Sequence, residues 1–154
     1  MSRRAICLVI LLTMSFTSVP ASAWNGLDGN DVPPHTAWPG LPVSWYLHQN
    51  GSADLGGFSS TRPIVQAAFD EWMSPSCTVW ETTYEGTTST WPGPDGTQVV
   101  AWIESSWPFD SVAIGVASTY TAGPTSARRI VEADISFNGE DYTWNTTGTG
   151  GGVD

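Results

Sequence analysis

The sequence predicts an α+β domain, a twisted mixed sheet of about five strands with one packed helix, preceded by a signal peptide. Charged residues make up only 13% of the chain, against 16 glycines and 11 prolines, which is typical of strands and turns rather than of a helical bundle. One segment has the apolar spacing of a helix, and five have the alternation or the short apolar runs of strands. The 154 residues suit one domain.

Residues 1–23 are typical of a secretory signal peptide. Two arginines precede an apolar run of 11 residues from Ile6 to Phe16, and Ala21-Ser22-Ala23 is a cleavage site of small residues. A membrane-spanning helix needs about 20 apolar residues, so the run is too short for an anchor. We therefore expect cleavage between Ala23 and Trp24, and a protein that is secreted, extracellular or periplasmic, with no membrane attachment afterwards.

After cleavage the chain would carry three arginines and no lysine against 15 acidic residues. Such an acidic surface repels phosphate groups, which excludes nucleic acid as a partner. Cys77 would then be the only cysteine. No internal disulfide is expected, and the thiol of Cys77 is expected to be a small buried apolar group.

The domain proper is predicted to span residues 43–154. Residues 24–42 contain four prolines and are expected to form an extended leader over the surface. From Val43 to His48 apolar and polar residues alternate, which predicts a half-buried strand. Val43, Trp45 and Leu47 would face the core, and His48 would face solvent.

The one predicted helix spans about Thr61 to Met73. Its apolar stripe would face the core and consists of Val65, Ala68, Phe69 and Trp72. Pro63 is tolerated in a first turn, Ser60 or Thr61 could cap that end, and Ser74-Pro75 would stop the other.

Four further strands are predicted after the helix, separated by turns rich in glycine, proline and serine. They span Thr78 to Tyr84, Gln98 to Glu104, Ala113 to Thr121 and Ile130 to Phe137. Four tryptophans fall on core-facing patterns, namely Trp45, Trp72, Trp80 and Trp102. Three others lie in loops and are candidates for stacking on a ligand, namely Trp38, Trp91 and Trp107.

Few motifs for catalysis occur. The two histidines, His35 and His48, do not have the spacing of a catalytic zinc site, and no G-x-S-x-G nucleophile motif is found. An oxygen-rich cluster near Gly139 has ligand types that calcium prefers. Its members are Glu132, Asp134, Asn138, Glu140 and Asp141. We interpret it either as a calcium site, formed by Asp134, Asn138, Glu140 and Asp141, or as solvated turn acids.

Several segments, in order, resemble the amino-terminal half of secreted, bacterial matrixin-like zinc metallopeptidases of the metzincin group. They are Pro42 to Leu47, Val65 to Trp72 followed by Cys77, Gly115 to Thr119, and Glu132 to Gly139. The resemblance implies the upper subdomain of a metzincin-like fold, with a five-stranded sheet and one helix. It also implies proteolysis of a peptide or protein substrate with zinc as cofactor.

In that family the next element is the zinc helix H-E-x-x-H-x-x-G-x-x-H, with three histidine ligands and a glutamate base. The motif does not occur in this sequence. We therefore expect a truncated, inactive peptidase domain with no catalytic residues of its own, which a C-terminal half could complement.

The resemblance also implies where a substrate would bind. The family's edge strand pairs with the substrate backbone, and here it corresponds to Gly115, Val116, Ala117, Ser118 and Thr119. Ser136 stands where the family has a histidine that binds a structural zinc, which speaks against that zinc, whereas the acidic residues that follow could still bind calcium. The alternative is a secreted, acidic, non-enzymatic module that binds a peptide or a glycan through loop tryptophans or the open edge strand.

Overall fold

The computed structural model of the protein describes residues 36–124, 128–148 and 152–153. The predicted signal peptide and residues 24–35 of the predicted leader lie outside them. The elements follow in the order β1 (Val43–His48), α1 (Phe58–Met73), β2 (Thr82–Thr88), β3 (Val99–Ile103), β4 (Gly115–Ala122) and β5 (Arg129–Asn138). The predicted α+β arrangement, a mixed sheet of five strands with one helix, is confirmed.

The five strands form one sheet in the order β2-β1-β3-β5-β4. Strand β1 pairs in parallel with β2 and β3, and β3 pairs in parallel with β5. Strand β4 is antiparallel to β5 and lies at the edge of the sheet. The strand that the resemblance associates with substrate therefore has one neighbour in the sheet and one open side.

The main core lies between α1 and the sheet. It is formed by five buried apolar residues: Trp45, Leu47, Val65, Val100 and Trp102. Half-buried Phe69, Ile135 and Phe137 pack against it. The core-facing pattern predicted for β1 is thus correct for Trp45 and Leu47, which are 3% and 0% exposed.

Helix α1 begins at Phe58, three residues before the predicted start, so Pro63 lies inside it. Its N-cap is Gly57 at φ 80°, with no side-chain cap, and the prediction of Ser60 or Thr61 as the cap was wrong. The hydroxyl of Thr61 instead donates to the carbonyl of Gly57 and accepts from the Ser52 N–H. A buried threonine thus ties the helix to the preceding loop.

The prediction that Trp72 faces the core was wrong, because its side chain is 75% exposed. Of the predicted stripe, Val65 is buried and Phe69 is half-buried. Ala68 is exposed, so the prediction that it faces the core was also wrong. Trp72 lies beside an open groove between α1 and the sheet. No described element fills that groove, so the last turn of α1 keeps its apolar side in solvent.

Strand β2 lies four residues later than predicted, from Thr82 to Thr88, and Gly86 falls inside it rather than at a turn. The reason is the partner strand, since Val43 at the start of β1 pairs with Thr82. The pairing with β1 begins where the Glu81 carbonyl accepts from the Val43 N–H at 2.8 Å. Cys77 precedes β2 and is exposed, so the prediction of a buried thiol was wrong.

The face of the sheet opposite α1 carries a row of buried polar residues on β5 and is covered by the segment between β2 and β3. Alternate β5 residues on this face are at most 3% exposed, namely Glu132, Asp134, Ser136 and Asn138. His48 lies at the end of β1 and is only 2% exposed. The prediction that it faces solvent was wrong because the ring of Trp91 stacks on it. Among the residues described, no helix is both long and apolar enough to cross a membrane.

Candidate functional site

Two buried carboxylates of β5 hold the segment that precedes β3. The N–H groups of Gly93 and Val99 each donate to Asp134, at 2.8 Å and to different oxygens. The N–H groups of Asp95 and Gly96 donate to Glu132, at 3.1 and 2.7 Å. Four backbone donors are thus satisfied by acids that lie more than 30 residues later in the chain, and the covering segment is fixed to the sheet.

The site of Asp134 does not favour its charged form. Burial raises the pKa of Asp134, and the negative charges of Glu132 and Asp95 raise it further. The hydrogen bonds from Val99 and Gly93 act in the opposite direction and do not cancel the increase. The two amide hydrogen bonds therefore offset only part of the energetic cost of a charged carboxylate at this buried position.

A cleft of about 660 Å³ opens on the same face of the sheet. Trp91 and Phe109, which are 46% and 41% exposed, line it from the segments after β2 and β3. Its lining on the sheet includes Ser118 and Tyr120 of β4 and Ser136 of β5. The size is within the range of small-molecule sites, about 300–1,000 Å³.

Trp91 is held by a buried histidine. Its ring lies 3.8 Å from the ring of His48, with 24° between the planes. The N–H of Asn50 points at Nδ1 of His48, at 3.4 Å. Burial lowers the pKa of His48, more than its contact with the Ser89 backbone raises it. The stack therefore joins a neutral imidazole to the indole, and Trp91 remains exposed toward the cleft.

Phe109 belongs to a second aromatic pair. Its ring lies 5.0 Å from that of Trp107, at 67°. Two hydrogen bonds hold Trp107 in place. Its backbone N–H donates to the Glu140 carboxylate, and its indole Nε1 donates to the carbonyl of Asp110 at 2.9 Å. The loop after β3 is thus anchored to the turn that follows β5.

The open side of β4 presents alternate backbone groups. The Asn138 N–H donates to the carbonyl of Ile114, so Ile114 and Asn138 form a hydrogen-bonded pair. In an antiparallel pair of strands, hydrogen-bonded and non-hydrogen-bonded residue pairs alternate along the register. Val116 and Ser118 therefore point their N–H and C=O groups at β5. Gly115, Ala117 and Thr119 point theirs away from it. Three of the five residues predicted for substrate binding have the backbone orientation that strand addition needs.

The structure divides the predicted calcium ligands between two places. Asp134 binds the amides of Gly93 and Val99. Asn138 organises the turn after β5, because its Oδ1 accepts from the N–H groups of Glu140 and Asp141 and its Nδ2 donates to Asp141. Within the described part of the chain, no group of three or more His, Cys, Asp or Glu side chains is arranged to hold a metal ion. The calcium site stays a prediction.

The residues present do not fit a catalytic zinc ion. The sequence has two histidines, of which His35 lies outside the described residues and His48 is buried against Trp91. Ser136, at the position that the resemblance associates with structural zinc, is 1% exposed and has no imidazole.

A second open feature lies on the helix side of the sheet, a groove of about 360 Å³. Apolar residues of α1, β3 and β5 line it, together with Trp144, whose Nε1 donates to the Asn138 carbonyl at 2.9 Å. The backbone of Trp144 bridges to Val153, so the last described residues lie next to this groove.

Sequence reasoning identified part of the cleft. Trp91 was predicted as a candidate for stacking and lies exposed there, whereas Trp38 is half-buried and lines an apolar pocket. Glu104, Phe109 and Tyr120 also line the cleft and were missed. The alternation along β4 could have placed Ser118 and Tyr120 on one face, but the position of Glu104 depends on contacts between distant segments.

Searches with protein-family models, among curated proteins and among solved structures found no match to this chain.

Proposed function

We propose that residues 43–154 form the upper, substrate-binding half of a secreted, matrixin-like zinc metallopeptidase domain. In this role they bind an extended peptide along the open side of β4. The observation that carries the proposal is the position of β4. The segment that resembles the family's substrate strand is an antiparallel edge strand, and its Gly115, Ala117 and Thr119 backbone groups face outward.

The free edge suits strand addition. Strand addition would place a peptide backbone at the ordinary strand spacing of about 4.8 Å from β4. Addition of a strand provides backbone hydrogen bonds, and the side chains of alternate residues determine selectivity. The sequence contains no H-E-x-x-H motif, so binding, not hydrolysis, is the activity that we propose for these residues.

The groove on the helix side supports the same proposal. Its lining includes Trp72, which is 75% exposed at the end of α1, and Phe137 of β5. A further apolar element packed there would bury both, as a complementing C-terminal half of the peptidase domain would require.

Peptide binding along β4 is tested by removing one outward amide. We expect Ala117→Pro to weaken binding of fluorescein-labelled octapeptides at least tenfold, roughly the effect of one lost backbone hydrogen bond plus the steric bulk of the ring. Proline is tolerated at an edge position whose N–H faces away from the sheet. The measurement is fluorescence polarisation against a library of acetylated octapeptides.

Ala117→Val is the matched control, because it adds bulk at the same position and keeps the N–H. It should bind peptide within about twofold of the parent, and both variants should melt at the parent temperature. Equal binding by the Ala117→Pro variant would show that the peptide does not pair with β4.

The alternative is a non-enzymatic module that binds a glycan through loop tryptophans. The observation in its favour is the exposed Trp91 in the cleft. It predicts binding of chitotriose or cellotriose that is lost on Trp91→Leu and unaffected by Ala117→Pro.

A further inference from the structure

We infer that the cleft between Trp91 and Phe109 binds an organic cation, either a quaternary ammonium group or the amine or guanidinium of a basic side chain. This inference does not rest on the proposed function of β4, because it concerns side chains of the cleft and not the backbone of the strand.

Aromatic surfaces are the first requirement, and the cleft has three of them. Trp91, Phe109 and Tyr120 all line it, on three different segments. The two that are most exposed are each supported from behind, Trp91 by His48 at 3.8 Å and Phe109 by Trp107 at 5.0 Å. Because the pKa of His48 is lowered by burial, its ring is neutral near pH 7 and no cation already occupies that face of the indole.

Charge selects the class of ligand. Among the described residues that line the cleft, the one acidic side chain is that of Glu104. One of its oxygens accepts from the Ala53 N–H at 2.8 Å, which orients the group. Of the described residues that line the cleft, none is a lysine or an arginine. An anionic ligand would find no partner there.

The acids beneath the cleft act in the same direction. Desolvation raises the pKa of the Tyr120 phenol, and the charges of Asp134, Glu132 and Asp95 raise it further. Tyr120 pairs with Glu132 and Ser118 pairs with Asp134 across the sheet, so two acidic residues of β5 adjoin the side of the cleft formed by β4. The described arginines lie elsewhere: Arg62 stacks over Tyr84, and Arg128 and Arg129 are at the start of β5.

The test compares a cation with its neutral isostere. By isothermal titration calorimetry at low salt, choline should bind the chain of residues 24–154 roughly tenfold tighter than 3,3-dimethyl-1-butanol, which has the same shape without the charge. Raising sodium chloride to 0.5 M should weaken the binding of choline and leave that of the alcohol unchanged. Nα-acetyl-lysine amide and Nα-acetyl-arginine amide keep their charged side chains. Comparing their affinities with that of choline distinguishes a basic side chain from a quaternary ammonium group as the ligand.

Variants locate the site. Phe109→Leu removes a π-face from a residue that is 41% exposed, and Glu104→Gln removes the charge while keeping an oxygen for the Ala53 N–H. Each should weaken binding of choline at least threefold. The control is Trp72→Leu, which removes an exposed tryptophan on the other side of the sheet and should change nothing.

Three results would overturn the inference: equal affinity for choline and its isostere, no binding of any cation at millimolar concentration, or binding of chitotriose without binding of cations. Each can occur while Ala117→Pro still weakens the binding of peptide, so failure here is distinguishable from failure of the proposed function.

Discussion

Replacing Asp134 by alanine is expected to lower the free energy of unfolding by about 3 kcal/mol, since each of the two backbone donors left without a partner costs about 1–3 kcal/mol. The donors are the N–H groups of Gly93 and Val99, both at 2.8 Å from the carboxylate. Asp134 is 0% exposed and Val99 is 1% exposed, so bulk solvent does not reach this site in the folded protein.

Asp134→Asn is the matched control. The amide has nearly the same shape and keeps one acceptor oxygen, so one of the two N–H groups stays bonded. It also removes a buried negative charge next to Glu132, a charge that the site disfavours. Near pH 7 we expect the free energy of unfolding of Asp134→Asn to lie within about 1 kcal/mol of that of the parent. Chemical denaturation followed by tryptophan fluorescence measures both values. A loss below 0.5 kcal/mol for the alanine variant would contradict the proposed attachment of this segment.

The same residue gives a pH dependence of defined sign. The pKa of Asp134 is raised in the fold, so the folded protein holds this proton more tightly than the unfolded chain. The stabilisation by the protonated form is fully present below the unfolded pKa of about 3.9, and it is lost as pH rises through the folded pKa. The contribution of this group therefore decreases from acid toward neutral pH.

The Asn variant isolates that contribution. As the pH is lowered from neutral toward the unfolded pKa of about 3.9, the parent should gain unfolding free energy relative to Asp134→Asn. The two proteins differ only at residue 134, so the comparison reports the effect of this residue. A difference that is constant with pH would show that the pKa of Asp134 is the same in the folded and unfolded states.

The sequence pattern predicted the sheet best where the pattern is local. Strand β1 was located at its exact ends because alternation from Val43 to His48 records which side chains enter the core. Strand β2 was misplaced, since its start depends on the residue of β1 that it pairs with, Thr82 with Val43. Trp72 was misassigned for a related reason: helical periodicity identifies one face of α1 but does not say how far along that face the sheet extends.

The candidate site was only partly predictable. The alternating acids Glu132 and Asp134 were visible in the sequence, but their neighbours are amides of residues 93–99, far away in the chain. A carboxylate that accepts from backbone amides looks the same in sequence as one that binds a cation. His48 was misassigned likewise, since its burial depends on Trp91, which belongs to a loop with no periodic pattern.

Replacing Trp102 by alanine should lower the free energy of unfolding by about 3–5 kcal/mol, the usual range for removing a buried tryptophan. This loss is at least as large as the one expected for Asp134→Ala. The side chain is 3% exposed, and its ring lies 4.4 Å from that of Phe137 and 5.7 Å from that of Trp144. These three rings join the core to the groove on the helix side, so alanine would leave a cavity that the sheet cannot close without moving β5.

Phenylalanine at the same position distinguishes packing from polarity. Among the described atoms, Nε1 of Trp102 is buried without a hydrogen-bond partner, whereas Nε1 of Trp144 donates to the Asn138 carbonyl at 2.9 Å. Trp102→Phe removes an unsatisfied donor, a gain of about 1–3 kcal/mol that offsets the lost volume, so we expect a net change within about 1 kcal/mol. Trp144→Phe breaks a bond that exists and should cost about 1–2 kcal/mol more than Trp102→Phe. Denaturation curves of the three variants decide the matter. If the two phenylalanine variants lose the same stability, the Trp102 indole N–H has a partner in solution, and the groove that it borders is more hydrated than its apolar lining indicates.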